Sequence, residues 1–448
     1  MKPKIAFFLF AIIVSGCAGF FQFSEPEDFV RVRGTKLFHN GRPYYFLGTN
    51  MWYGFYLGSP GPTGDRERLR RELDSLLSIG ICNIRVLAAS ESSYFKHAAS
   101  PAVQRAPGIV DQELLQGLDF LLDEMGERGM HAVLYLNNYW VWSGGMSQYN
   151  VWAGMEALDP EKEPGGWQSY MDFAARFYGN EAANRFYRDY IRSLIMRRNS
   201  VNGRFYFEDP TIMAWQLANE PRPGAVGPFG EQNAAEFYRW IDQTAAFIHS
   251  LDTNHLVSTG SEGVVGSLLS ADHFLAAHES RSVDYLTFHL WPFNWGWFDP
   301  RRISETLPVA EEKGGEYIRQ HLVLARKMRK PIVLEEFGLG RDSGAYSPRT
   351  PVTARDRYFT HLLQILYDSA RAGGALSGSN VWAWGGEGFS RNPDFWWRPG
   401  DPYVGDPPQE PQGINSVFIS DSSTIAILRH FARKMRMIGL DSAMVRLP

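Results

Sequence analysis

An alternation constrains the fold of this chain more than any other feature of it. After residue 40, short apolar, β-branched runs give way to longer amphipathic ones, and the cycle repeats about eight times. The strand candidates are 44–50, 81–87, 131–137, 211–219, 255–260, 284–290, 331–336 and 380–384. Helical patterns lie between them, at 66–79, 112–128, 181–198, 231–250, 315–329 and 354–372. The last carries Phe359, Leu362, Leu363, Ile365 and Leu366 at helical spacing. Strands alternating with helices predict a parallel sheet, and eight such units in about 400 residues predict an α/β fold of the (β/α)8 TIM-barrel type. A doubly wound open sheet is the structural competitor. The barrel is favoured because no Gly-x-Gly-x-x-Gly follows the first strand and because polar residues recur at the ends of many different runs.

No internal repeat or low-complexity linker divides residues 29–448, which read as a single catalytic domain. Long aromatic-rich loops interrupt it at 53–64, 138–180, 291–312 and 385–415. In a barrel, the loops that follow the strands gather at the C-terminal face, so all four are expected to wall one cleft. The chain has 30 Phe, 20 Tyr and 14 Trp, more flat apolar surface than a core requires, and a groove that stacks sugar rings is one use for it. With 45 Lys and Arg against 49 Asp and Glu there is no net basic field for phosphates, so nucleic acid is not an expected partner. Two cysteines exclude a disulfide framework.

The N-terminus reads as an address. Lys2 and Lys4 precede an apolar run from Ile5 to Val14, too short to span a bilayer, which needs about 20 residues. The run ends in Ser15, Gly16 and Cys17, which resembles the lipobox of bacterial lipoproteins. That resemblance implies a signal peptide over 1–16, lipidation of Cys17 and a tether over 17–28. The protein is then exported and held by lipid at a membrane, the outer membrane or cell surface; with Cys17 incidental it is secreted. Cys82, inside the second strand candidate, reads as a small buried apolar residue.

Chemistry collects at the strand ends. In order these carry Asn50, Arg85, Asn137 with Asn138, Asn219 with Glu220, His289, Glu335 with Glu336, and Trp382 with Trp384. Each alone has a structural explanation: an ion-pair role for Arg85, a hydrogen-bonded core position for His289, a loop cap for Asn219. Converging on one barrel mouth, the set reads as a site. Glu220 precedes Pro221 and Glu336 precedes Phe337-Gly338, so two carboxyls each end a strand at a turn. Paired acids across a barrel mouth suit glycoside hydrolysis, in which one carboxyl protonates the leaving oxygen and an ionised one attacks the anomeric carbon. Arg85 is expected to keep the strand-seven carboxylate ionised, leaving Glu220 as the acid. Asn219 is placed to hydrogen-bond a ring hydroxyl. Strands alternate faces, so only one of Glu335 and Glu336 is expected to point inward, and Glu336 lies nearer the turn. The histidines show neither His-x-His nor His-Glu-x-x-His spacing, so no metal and no cofactor are expected.

With these residues in view, the stretch 197–221, RRNSVNGRFYFEDPTIMAWQLANEP, resembles the endo-β-1,4-mannanases of glycoside hydrolase family 5. YFLGTNMWYG, NIRVL, LTFHLWP, LEEFG and NVWAWGGEG agree with it, so the resemblance spans about residues 29–440. It implies a retaining mechanism with Glu220 as general acid/base and Glu336 as nucleophile. It also implies Arg85, Asn219 and His289 around the sugar at the cleavage point, Trp382 beneath it, and Trp52 or Tyr53 at the aromatic position after strand one; Asn138 and Trp384, from their places at strand ends, are expected to contact substrate as well. Many relatives carry a tyrosine where this chain has Trp291, so either the indole N–H replaces a hydroxyl contact to the nucleophile or that contact is absent. The implied substrate is mannan, glucomannan or galactomannan. An open cleft needs no partner chain, so a monomer is expected. Competing readings are a chain-end mannosidase or transglycosylase with one end of the cleft closed by a loop, a cellulase, a metal-dependent hydrolase, and a non-catalytic glycan-binding lipoprotein.

Overall fold

The computed structural model describes residues 28–444; the expected signal peptide, Cys17 and most of the expected tether lie outside the described residues. Eight strands form the central sheet: β1 (Phe46–Asn50), β2 (Asn83–Leu87), β3 (His131–Tyr135), β4 (Ile212–Gln216), β5 (Leu256–Ser258), β6 (Leu286–Leu290), β7 (Ile332–Phe337) and β8 (Leu376–Val381). Each pairs in parallel with its neighbour in chain order from β1 to β5 and from β6 to β8, and β8 returns to β1. The short β5 is joined to β6 through Asp284, whose backbone N–H donates to the Val257 carbonyl at 2.8 Å and whose carboxylate accepts from the Val257 N–H at 2.7 Å. This is the expected (β/α)8 barrel. Every residue of all eight strands is buried, because one face meets the lumen and the other the helices.

Helices fall where periodicity and caps place them. Asp65 accepts from the Arg68 N–H at the start of helix Arg66–Ile79, which stops at Gly80 in the left-handed conformation, φ 95°. Asp111 and Asn180 cap Gln112–Glu127 and Glu181–Ile195 in the same way. The helix expected at 315–329 begins earlier, at Ile303, because Pro308 and Gly314-Gly315 mask its first turns in the sequence. Those glycines serve packing: a Cβ on Gly314 would stand 3.0 Å from the Tyr358 hydroxyl of the next helix, Thr353–Arg371. A last helix, Ser422–Met444, packs along β1 and helix Thr353–Arg371. The 138–180 stretch carries two helices of its own, Gly145–Trp152 and Gly166–Ala175.

The eighth strand runs earlier than the expected 380–384. Its ladder is LSGSNV, a sequence with little strand propensity, and the apolar Val-Trp-Ala-Trp run mostly lies beyond it. Smallness is required there, since a Cβ on Gly378 would lie 2.4 Å from the Phe46 ring. A three-stranded antiparallel sheet, Arg31–Arg33, Lys36–His39 and Arg42–Pro43, precedes the barrel. Its Leu37 joins Val30, Phe46, Val133, Met213, Leu256 and Val333 in a separate apolar cluster at the N-terminal ends of the strands. Polar chemistry is left to the opposite end. Among the described residues, no helix is long and apolar enough to cross a membrane.

Candidate active site

Arg85 on β2 organises the upper lumen. Its guanidinium is fully buried and uses four of its donors on side chains of four other positions: Nη1 to Glu336 Oε1 at 2.5 Å and Asn50 Oδ1 at 3.1 Å, Nε to Gln216 Oε1 at 2.7 Å, and Nη2 to Asn219 Oδ1 at 2.8 Å. It also lies 4.5 Å from the centre of the Tyr135 ring. Leaving such a charge unpaired in the interior would cost about 3–5 kcal/mol. The residues on β1, β4 and β7 and in the turn after β4 are therefore a matched set around one cation.

The turn after β4 aims Glu220. Its φ is 51°, a left-handed conformation uncommon for a residue with a side chain. The strained turn is held by the Glu220 N–H donating to the Gly260 carbonyl at 2.9 Å. Gly260 must itself be glycine: its φ is +75°, and a Cβ there would lie 1.9 Å from the Ala218 carbonyl oxygen. So aimed, Glu220 Oε1 meets His289 Nδ1 at 2.7 Å, and Oε2 accepts from Trp140 Nε1 at 2.5 Å. His289 Nδ1 also lies 3.3 Å from Glu336 Oε2. One oxygen of each carboxylate and one nitrogen of His289 lie within 4.8 Å of one another. That spacing matches glycosidases whose second carboxylate attacks the sugar directly, about 5–5.5 Å, rather than those that leave room for water at about 6.5–9.5 Å.

The electrostatics tie the expected acid, Glu220, to His289. Burial favours the neutral acid, but the hydrogen bond and charge of His289, with Arg222 and Trp140 behind them, lower Glu220 to about 2. Burial disfavours a charged His289, yet the Glu336 charge and the bonds to both carboxylates raise it to about 9. The opposite shifts describe one proton shared across the 2.7 Å contact between Glu220 and His289.

A cavity of about 520 Å³ opens over these groups. Asn219, Glu220, Glu336, Trp291 and Trp382 line it, as the sequence suggested. Trp140, Trp142 and Trp167 stand on one wall and Asn294 with Trp295 on another. Trp291 meets Trp382 edge to face, with ring centroids 6.0 Å apart. It makes no hydrogen bond to Glu336; that carboxylate is held by Arg85 and His289 instead.

Six expected sugar contacts stand behind the wall: Arg85 and His289, each fully buried and absent from the cavity lining, and Trp52, Tyr53, Asn138 and Trp384. Trp52 is 1% exposed, and its indole donates to the Gly405 carbonyl. Tyr53 is fully buried, with its hydroxyl on Glu72 at 2.9 Å and on the Trp384 carbonyl at 3.2 Å, and Trp384 is equally enclosed. Asn138 accepts from Asn219 Nδ2 at 3.2 Å and from the Trp140 N–H at 3.1 Å, so it aligns two residues that face the cavity. Trp52 and Tyr53 are enclosed because loop 385–415 folds over the aromatics after β1, with Tyr403 against both rings. For the same reason loop 53–64 does not wall the cleft. It lines a separate hollow of about 610 Å³ with Arg105, Asp401 and Tyr403.

Sequence reasoning passed over Arg222, Glu262, Gln409 and Glu410, all at the cavity. Arg222 pairs with Glu262 and lies 5.1 Å from the Trp140 ring centre. Glu262 follows β5 and had a signal, an acid just past a strand end. Gln409 and Glu410 had none, since they sit deep in a loop whose course depends on tertiary contacts. Asp406 ties that loop by accepting from the Gly413 and Asn415 N–H groups and the Ser416 hydroxyl.

Glu335 corrects a further expectation. The ladder pairs Phe288 with Leu334 and His289 with Glu336, so residue 335 is the extra residue of a bulge. Both carboxylates consequently reach Arg85, Glu336 at 2.5 Å and Glu335 at 3.6 Å.

Comparison with known proteins agrees with this geometry. A tomato (Solanum lycopersicum) protein named mannan endo-1,4-beta-mannosidase 4 is 26% identical over 385 residues, covering 82% of this chain and 88% of its own. The crystal structure of a glycoside hydrolase family 5 mannosidase from Rhizomucor miehei is 35% identical, covers 93% of this chain and 99% of its own, and superposes with a TM-score of 0.84. The endo-1,4-beta-mannanase from Rhizomucor miehei shares the fold, with a TM-score of 0.67 at 22% identity over 91% of this chain and 99% of its own. The family model described as GH family 5 beta-mannosidase-like matches residues 27–439, and the chain is a glycoside hydrolase belonging to that family.

Proposed function

We propose that this enzyme hydrolyses β-1,4-mannosidic bonds of mannan, glucomannan or galactomannan with retention of anomeric configuration, acting on internal bonds. The observation that carries the chemistry is the closeness of the Glu220 and Glu336 oxygens around His289, within 4.8 Å. Glu336 attacks the anomeric carbon as the bond from that carbon to the leaving oxygen breaks, and Glu220 delivers the shared proton to that oxygen. Water then attacks the same carbon, the ester to Glu336 breaks, and the water's proton passes to Glu220. Relatives named as mannan endo-mannosidases, aligned over most of this chain, support mannan as the polymer.

A second reading, chain-end action, is favoured by loop 385–415. Gln409 Oε1 and Glu410 Oε2 are buried at the cavity without a partner among the described residues. Burial, with the charges of Asp406, Glu336 and Glu220, pushes the Glu410 carboxyl up to about 8, which lets it donate as well as accept. Such groups suit the hydroxyls of a terminal sugar. One time course separates the readings: linear mannan beside carboxymethylcellulose, with product lengths followed from the start. Internal cleavage yields a ladder of short mannooligosaccharides before mannose accumulates. Chain-end cleavage yields mannose or mannobiose alone from the outset, with release about tenfold slower in Glu410→Ala, the loss of a strong hydrogen bond. Turnover of carboxymethylcellulose without turnover of mannan would contradict both.

A further inference from the structure

Two carboxylates share the Arg85 guanidinium, and only one of them has a role in the reaction above. Glu335 is buried on the bulge of β7, with its side chain 2% exposed, directly beside the nucleophile. It reaches Arg85 by two routes. Its Oε2 lies 3.6 Å from Arg85 Nε, and the same oxygen accepts from Gln216 Nε2 at 2.5 Å while Gln216 Oε1 accepts from Arg85 Nε at 2.7 Å. The Tyr285 hydroxyl approaches Oε1 at 3.4 Å. Each neighbour offers a donor, an arrangement suited to an anion. Even so paired, a buried anion beside a second anion costs free energy, which calls for a functional reason.

The catalytic cycle supplies that need. When Glu336 bonds to the anomeric carbon, its negative charge is lost, and Arg85 is left buried without the carboxylate it held at 2.5 Å. We propose that Glu335 is a positioning residue of the retaining reaction, the second counter-anion of Arg85, which neutralises the guanidinium while the nucleophile is esterified. This rests on the retaining reading given above. Before attack, the extra anion crowds Glu336 and favours the bond that disperses its charge. After attack, the Glu335–Gln216–Arg85 chain keeps the cation compensated and in place until water restores the carboxylate.

The charged and titratable groups facing this pair are Arg85 on β2, Tyr135 on β3, Glu220 after β4, Tyr285 and His289 on or beside β6, and Glu410 from loop 385–415. Burial raises the Glu335 carboxyl above its ordinary range, partly offset by Arg85 and Gln216, while the charge of Glu336 adds to the rise. Glu335 therefore takes up a proton before its unperturbed counterpart would as pH falls, and the counter-anion is then lost.

The test compares wild type with Glu335→Gln on an aryl β-mannotrioside bearing a good leaving group, across pH. The acid limb of kcat/KM is expected to move to lower pH, because the limb set by Glu335 disappears. At neutral pH kcat/KM should fall about tenfold while kcat falls less, since attack on the sugar loses more than release from the ester. Gln216→Leu supplies the opposite sign without removing the carboxylate. It cuts the link to Arg85, makes Glu335 harder to ionise and moves the acid limb to higher pH. Equal losses in kcat and kcat/KM, with the limb fixed in both variants, would overturn the inference and mark Glu335 as structural. A wild type that does not turn over the aryl mannotrioside would overturn the retaining mannan-hydrolysis reading and this inference with it.

Discussion

Glu336→Ala is expected to lose about ten-thousandfold or more in kcat on mannooligosaccharides, the scale on which removing a nucleophile abolishes covalent catalysis. Binding should survive, because the cavity walls are formed by Trp140, Trp142, Trp291, Trp295 and Trp382, which the substitution leaves in place. The fold has reason to tolerate the change. Arg85 keeps Asn50, Gln216 and Asn219 as partners and retains Glu335 at 3.6 Å. Steady-state kinetics beside calorimetric titration with a mannooligosaccharide checks it: near-wild-type affinity with no turnover is the expected pair of results. Undiminished turnover would remove Glu336 from the mechanism.

The second large effect concerns the proton. In His289→Ala, Glu220 loses the donor that holds it low, and the pair no longer has a base that keeps its proton up to about pH 9. Loss of general acid assistance predicts a fall in kcat/KM of about 100-fold or more. The basic limb should also move to lower pH, because Glu220 alone releases its proton earlier than His289 does. The stability consequence has a definite sign. His289 is raised, so its contribution is complete below the ordinary histidine value of about 6.5 and disappears as pH climbs toward about 9. Glu220 is lowered, so its contribution is present above the ordinary value of about 4.3 and is lost as pH falls toward about 2. The wild type therefore gains most from this pair between those ordinary values, and thermal unfolding should show the variant losing most stability there. A basic limb unmoved by the substitution would contradict the shared proton.

Much of this arrangement is legible in the chain itself, and the exceptions have physical causes. The barrel follows from alternation, because a strand buried on both faces must be apolar and each crossover helix must be amphipathic. β8 departs from that rule: Ser377, Gly378 and Ser379 lie where Phe46 fills the lumen, so crowding replaces hydrophobicity as the constraint. Glu220, Glu336, Arg85, Asn219 and His289 are visible because polar residues at strand ends are anomalous in a barrel. What a strand end does not tell is which side chain faces the cavity. Trp52, Tyr53 and Trp384 occupy aromatic positions near the mouth but are enclosed by a loop whose path is fixed by Asp406 and Gly413, far along the chain. Glu335 was assigned the wrong face because period-two alternation assumes a regular ladder, and a bulge breaks it.

The most direct test of the account is the anomer first formed from mannotetraose, followed by proton NMR before mutarotation. Early accumulation of the β-anomer is the predicted result, since attack by Glu336 and then by water inverts the same carbon twice. Early accumulation of the α-anomer would mean a single displacement by water, and would contradict the role of Glu336 as nucleophile.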